Sequence, residues 1–206
     1  MREIGVFCGT FNPIHWGHLM LAEFARAQFE LEKVYVVVSP NPPHRSDTLL
    51  DAEQRYELVE AACQDNEHFI PSRIELERSG PSYTVDTLRE LKILEEKNGS
   101  DMRLNLLVGQ DNLPHLKEWH ESNELFSLCR ILVATRTSNV TAEEVIKEVP
   151  AGASFELIDF PRVPVSSSTI RVRLKEGKTV LYLVHPRVNE LIEKKGLFKA
   201  QAQPAG

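Results

Sequence analysis

Cysteine is scarce in this chain: Cys8, Cys63 and Cys129 are its only three among 206 residues, far apart and with no Cys-x-x-Cys spacing. That excludes a disulfide framework and a cysteine zinc site, and leaves three thiols that read as core residues. No apolar run approaches the roughly 18 residues that would suggest a membrane span. The chain opens directly into an apolar strand without a basic-then-apolar leader, so the expected location is the cytoplasm. Positive charge is also short, with 24 Lys and Arg against 30 Asp and Glu and a formal net charge of −6. A broad nucleic-acid footprint is therefore disfavoured, although a local basic pocket for a small polyanion is still allowed. Neither Gly-x-x-x-x-Gly-Lys-Ser/Thr nor Gly-x-Gly-x-x-Gly occurs. P-loop kinases and GTPases lose support, and so do ordinary nicotinamide dehydrogenases.

What is present is a core and a regular alternation of elements. An apolar content of 42% over 206 residues suits one domain that buries roughly 70% of its unfolded surface. The runs Ile4 to Cys8, Lys33 to Ser39, Phe69 to Leu76, Arg103 to Val108, Arg130 to Thr135 and Ser154 to Ile158 read as strands, several of them apolar on both faces as in a parallel sheet. Between them lie helical patterns. The first runs from about Gly17 to Glu30, the next opens at Asp51, and another carries Val85, Leu88, Leu91 and Leu94 and closes at Asn98-Gly99. Further helices are expected near Glu121 to Leu128, from Thr141 through Val149, after a Ser166 cap, and between Pro186 and Gly196. This order predicts an α/β fold: a doubly wound, Rossmann-like parallel sheet with helices on both faces. Residues 1–198 would form the single domain, with a small C-terminal helical extension over about 166–198 and a disordered tail over 199–206.

The organising stretch is Val6 to His18. A buried strand ends at Gly9, whose lack of a side chain permits a tight turn, and a helix begins near Gly17. A helix start carries unpaired N–H groups and about +0.5 of a charge, so the loop feeding it suits an anion. His15 and His18, three apart, share one side of the first turn, and Gly17 between them allows close approach. Surface residues or two metal ligands are the competing interpretations, but no carboxylate or cysteine lies nearby in sequence to complete a metal shell. Ser166 to Arg171 offers hydroxyls, N–H groups and a forked guanidinium at a second helix start, which fits a polyphosphate as well as an ordinary cap.

Gly9-Thr10-Phe11-Asn12-Pro13-Ile14-His15-Trp16-Gly17-His18 resembles the Gly-x-Phe-Asp/Asn-Pro-x-His-x-Gly-His signature of the nucleotidylyltransferases. Members of that family join a nucleotide's α-phosphate to a phosphorylated acceptor. Val165-Ser166-Ser167-Ser168-Thr169-Ile170-Arg171 resembles the family's Ile-Ser-Ser-Thr-x-Ile-Arg motif, with Val165 and Ser168 as departures. Gly109-Gln110-Asp111 followed by Leu116 and Trp119 narrows the resemblance to the nicotinate or nicotinamide mononucleotide adenylyltransferases. Pro81-Ser82-Tyr83-Thr84 and Asn41-Pro42-Pro43-His44-Arg45 are similar to two further loops, and Val184-His185-Pro186 to the closing helix. The resemblance spans residues 4 to about 198.

The resemblance implies transfer of AMP from ATP to nicotinate mononucleotide, with His15, His18 and Arg171 as the catalytic groups. It implies that Gly9, Thr10, Phe11, Gly109, Asp111, Ser167, Ser168 and Ile170 hold ATP. The acceptor would meet Asn41, His44, Arg45, Tyr83, Thr84, Trp119 and Arg136, with Trp119 stacked on the pyridine ring. Backbone N–H groups of Tyr83 and Thr84 would receive the nicotinate carboxylate, whereas an amide would present a donor to donors, a mismatch of about 1–3 kcal/mol. Thr84 as a plain cap, Trp119 as core and the 41–45 loop as a stiff surface turn are the plainer interpretations. Cys8, where many relatives have glycine, reads as packing rather than as a nucleophile. Mg2+ would ride on the phosphates with no protein side-chain ligand, Asp111 being the alternative. The expected partners are ATP and nicotinate mononucleotide, with no nucleic acid and no membrane, and a homo-oligomer is allowed. The rivals are nicotinamide mononucleotide or phosphopantetheine as acceptor, or an ATP sensor without turnover.

Overall fold

In the computed structural model, six strands form one all-parallel sheet in the order β3-β2-β1-β4-β5-β6. The structure describes residues 1–41, 49–97, 101–135, 143, 147, 151–161 and 163–199. The strands are β1 (Arg2–Gly9), β2 (Lys33–Val38), β3 (Phe69–Ser72), β4 (Met102–Gly109), β5 (Cys129–Ala134) and β6 (Phe155–Ile158). The helices are α1 (Trp16–Gln28), α2 (Ala52–Cys63), α3 (Thr84–Glu96), α4 (Ser122–Leu128), α5 (Ser167–Lys175) and α6 (Pro186–Lys195), with a 3₁₀ helix over Gln110–Glu118. The strand order reverses between β1 and β4, and ligands of doubly wound sheets bind outside the carboxyl ends of the strands at that point.

Side chains alternate across the strands with period two, and this builds two cores. Phe7, Val34, Val36, Val38, Leu107 and Leu132 face α1, α2, α5 and α6, through Leu19, Ala22, Val59, Ile170 and Ile192. Ile4, Val6, Tyr35, Val37, Leu104, Leu106 and Ile131 face α3, α4 and the 3₁₀ helix, through Leu88, Leu91, Leu113 and Leu125. Both faces of the central strands are dry, which is why these strands read as continuous apolar runs.

The caps follow local chemistry. The Asp51 side chain accepts from Glu53 N–H at 2.9 Å, that of Ser166 accepts from Thr169 N–H at 3.1 Å, and Gly196 ends α6 at φ 64°, where a glycine avoids the Cβ penalty. The 3₁₀ helix was not expected. Its apolar residues Leu113 and Leu116 recur every third position, the period of that helix, and Pro114 inside it hides the pattern from a 3.6-residue reading. The Asn98-Gly99 closure, the 141–149 helix as a whole and the tail beyond Lys199 lie outside the described residues. No described helix is long and apolar enough to cross a membrane.

At the amino ends of the strands, away from the site, Glu95 is fully buried. It accepts from Arg2 Nη2 at 2.9 Å, pairs with Lys33 Nζ at 2.8 Å and takes a hydrogen bond from the Tyr35 hydroxyl. The cations beside it hold its carboxyl below the ordinary range even though burial alone would raise it.

Candidate active site

A cavity of about 900 Å³ opens at the carboxyl ends of β1, β4 and β5, against the start of α5. Gly9, Thr10, Phe11, His15 and His18 line it from the first loop, Gly109 and Asp111 from the end of β4, and Ser167 and Arg171 from α5. Segments about 155 residues apart in sequence thus share one cleft, held by direct bonds. Ser167 Oγ donates to the Pro13 carbonyl at 2.8 Å, and Arg171 Nη1 donates to the Asn12 carbonyl at 2.9 Å. Burial lowers the Arg171 pKa, yet a guanidinium so placed keeps its charge.

The two imidazoles are locked together. His15 is the N-cap of α1 and His18 its third residue. Their rings stack with centroids 3.6 Å apart and an interplanar angle of 17°. His15 N–H donates to His18 Nδ1 at 3.2 Å. With Nδ1 accepting, the neutral His18 ring carries its proton on Nε2. The Phe11 ring meets His18 edge-on at 5.1 Å and Phe7 at 5.3 Å, so aromatic packing holds the pair. Phe11 itself sits at φ 44°, a costly conformation for a bulky residue and one that clusters at functional loops.

The glycines act through space rather than through turns. A Cβ on Gly9 would lie 2.8 Å from Phe11 Cζ, and one on Gly17 would lie 3.1 Å from the His15 ring and from Val165. Gly9 ends a strand at negative φ, so its role is to admit the Phe11 ring and not to make a tight turn. Gly17 gives room to His15 and also lines the cavity. At Gly109 a Cβ would meet nothing within 4 Å, so the missing side chain there is open cleft.

Other expected residues sit elsewhere. Ile170 is fully buried in the core and its N–H donates to the Ser166 carbonyl at 3.1 Å, so its side chain does not face the cleft. Ser168 is exposed, with its hydroxyl accepting from Arg171 Nη2 at 3.3 Å. Tyr83, Thr84, Trp119 and Asn41 do not line the cavity. Tyr83 is the N-cap of α3, with Thr84 as its first residue, and its ring stacks on His120 at 4.0 Å, next to Trp119. Trp119 ends the 3₁₀ helix, half-buried against the second core. Asn41 is exposed, and His44, Arg45 and Arg136 lie outside the described residues. Burial pushes the Cys8 thiol well up and those of Cys63 and Cys129 to about 12. None is primed as a nucleophile. Among the described residues no group of three or more His, Cys, Asp or Glu could hold a metal ion.

Sequence reasoning passed over Arg55. It is fully buried and donates to the carbonyls of Leu50 at 3.0 Å, Thr10 at 2.8 Å, Ser39 at 2.7 Å and Pro40 at 3.0 Å. One guanidinium thereby joins the loop after β1 to the chain on both sides of residues 42–48. The signal was available: residue 55 falls on the same helical face as Leu58, Val59 and Ala62, where a cation needs a reason to be. The cavity wall formed by Phe160, Val163, Pro164 and Val165 was also missed, since a proline-rich connection carries no periodicity.

Fold and cleft together define a nucleotidyltransferase of the doubly wound type, and residues 6–173 match the cytidylyltransferase-like family. Proteins described as probable nicotinate-nucleotide adenylyltransferases are similar over almost the whole length. That of Caldicellulosiruptor bescii is 35% identical, covering 96% of this chain and 99% of the relative. That of Desulfitobacterium hafniense strain Y51 is 38% identical, covering 96% of each. The chain belongs to the nicotinate-nucleotide adenylyltransferase family. Among solved structures, Plasmodium falciparum nicotinic acid mononucleotide adenylyltransferase complexed with NaAD superposes with a TM-score of 0.75 at 19% identity, over 96% of this chain and 98% of that one. The complex of the same enzyme with APC gives 0.74 at 18% identity, with the same coverage. At such identities the likeness concerns the fold.

Proposed function

We propose that this protein moves AMP from ATP to nicotinate mononucleotide, giving deamido-NAD and pyrophosphate. The observation that carries this reading is the bolting of Ser167 and Arg171 onto the Pro13 and Asn12 carbonyls, beside the stacked His15 and His18. Paired imidazoles, hydroxyls, a guanidinium and two helix starts then line one cavity of about 900 Å³. An acceptor phosphate oxygen attacks the α-phosphorus, the bond to the β-phosphate oxygen breaks, and pyrophosphate leaves with that electron pair. No covalent enzyme intermediate is required, since positioning and charge stabilisation suffice for such transfers.

In this reading His18 Nε2–H and His15 stabilise charge on the transferring phosphoryl group, while Thr10, Ser167 and Arg171 hold the remaining phosphates and Ser168 acts through Arg171, from which its hydroxyl accepts. The ribose lies over Gly109, where a side chain would obstruct it, with Asp111 alongside. Mg2+ arrives on the triphosphate as part of the substrate. Tyr83, Thr84 and Trp119 receive the acceptor ring.

The test is pyrophosphate release from ATP and Mg2+ with either mononucleotide. A higher kcat/KM for the nicotinate form is expected. Equal values would defeat the carboxylate assignment, and ATP binding without turnover would favour a sensor.

A further inference from the structure

Behind the N-terminus of α3 lies a buried polar chain that the chemistry above does not use. Glu75 is 3% exposed and Thr87 fully buried. Thr87 Oγ1 donates to Glu75 Oε1 at 2.7 Å and accepts from Arg78 Nη2 at 3.1 Å. Arg78 Nη1 is itself held by Glu90 Oε1 at 2.9 Å. The same Arg78 Nη2 approaches the Tyr83 carbonyl at 3.4 Å, which also accepts from Thr87 N–H at 3.3 Å. At its other end the chain reaches the cleft, because the Glu75 carboxyl lies beside Cys8 and Cys8 lines the cavity.

This arrangement fixes a direction. A peptide group is planar and trans, so its N–H points opposite to its C=O. With the Tyr83 carbonyl drawn inward by Arg78 and Thr87, the Thr84 N–H on the same peptide is aimed outward. That N–H belongs to the first residue of α3, so it has no acceptor within the helix. The first helical bond of α3, from Thr87 N–H, sets the gross direction of that peptide, and two side-chain contacts to the same carbonyl refine it, from Arg78 Nη2 and from Thr87 Oγ1 at 3.4 Å.

We propose that Thr87, with Arg78 and Glu75, is a positioning residue that orients the Tyr83–Thr84 peptide toward the ring carboxylate of the acceptor, so that preference for an acid over an amide depends on it. This rests on the adenylyl-transfer reading above. Wild type must first turn over a pyridine mononucleotide, and if it uses neither form the functional reading fails along with this one. Given that turnover, Thr87→Val removes the hydroxyl at nearly constant volume. The KM for nicotinate mononucleotide should rise about fivefold or more, with kcat and the KM for ATP holding, the pattern of lost ground-state binding. The ratio of kcat/KM for the acid to that for the amide should fall with it, and Thr87→Ser should restore both. A ratio that stays at the wild-type value would overturn the proposal while leaving the function standing. So would kcat falling equally with both acceptors alongside a lower Tm, because that is what a merely structural hydroxyl would give.

Discussion

Arg55→Met tests whether one buried cation holds the phosphate-side loops in place. Methionine fills a similar volume but offers no donor, so four carbonyls that now accept from the guanidinium, on Thr10, Ser39, Pro40 and Leu50, would lose it together. At a net value of about 1 kcal/mol each the loss would be about 4 kcal/mol, and more where an acceptor stays dry. An opposing effect is the relief of burying a charge, which already lowers the Arg55 pKa. The expected net destabilisation is therefore about 3–5 kcal/mol, as for other broken buried ionic contacts. In a chain of this size that lowers Tm by roughly 6–20 °C. Urea unfolding followed by circular dichroism gives the free energy, and a thermal melt gives Tm. Arg55→Lys keeps the charge and up to three donors but not the planar fork, and should recover about half. A loss below about 1 kcal/mol for the methionine variant would mean that water already satisfies these carbonyls, and the argument for Arg55 would fail.

His18→Ala should lower kcat by about 10² to 10³ if Nε2–H stabilises transition-state charge, and an unaltered kcat in a single-turnover assay would remove it from the mechanism. Two buried carboxyls should leave opposite marks on the pH dependence of stability. Glu95 has a depressed folded-state pKa, so its contribution is complete above the ordinary 4.5 and disappears as pH falls through the depressed value; Glu95→Gln should flatten acid unfolding in that window. Burial raises the folded-state pKa of Glu75, so its charged form costs stability that is lost as pH rises from 4.5 through the raised value. Glu75→Gln should abolish that decline, which urea midpoints measured across acid to neutral pH would check.

How far the sequence could be read depended on how local the signal was. The strands were legible because both faces of β1, β2, β4 and β5 are buried, so apolar residues run without alternation. Helix ends were legible wherever one residue sufficed, as at Asp51, Ser166 and Gly196. The 3₁₀ helix was not, since Pro114 argues against a helix of ordinary pitch. Within the site, His15, His18, Ser167 and Arg171 could be named because each lies beside a helix start. The part of Gly9 was not legible for a physical cause: what it avoids is the Phe11 ring, and such a contact is a property of packing rather than of dihedral preference. Ile170 belongs to its motif by sequence, yet its side chain fills the core. Arg55 is legible as a cation on an apolar helix face, but its partners are not, because they are backbone carbonyls and no residue type reports those.

The cleft is closed by the two ends of the chain, and this ties its formation to that of the whole sheet. The first loop can take its shape only when β1 has paired on one side with β2 and on the other with β4. The α5 segment follows β5 and β6, which extend the sheet beyond β4. The Ser167 to Pro13 and Arg171 to Asn12 bonds span 154 and 159 residues, and loops of that length are entropically costly to close before the intervening strands pair. The triphosphate site therefore needs both segments together with the strands between them. Binding energy for the nucleotide then accrues to the complete sheet alone, so ATP should stabilise the folded state as a whole by linkage rather than any one loop.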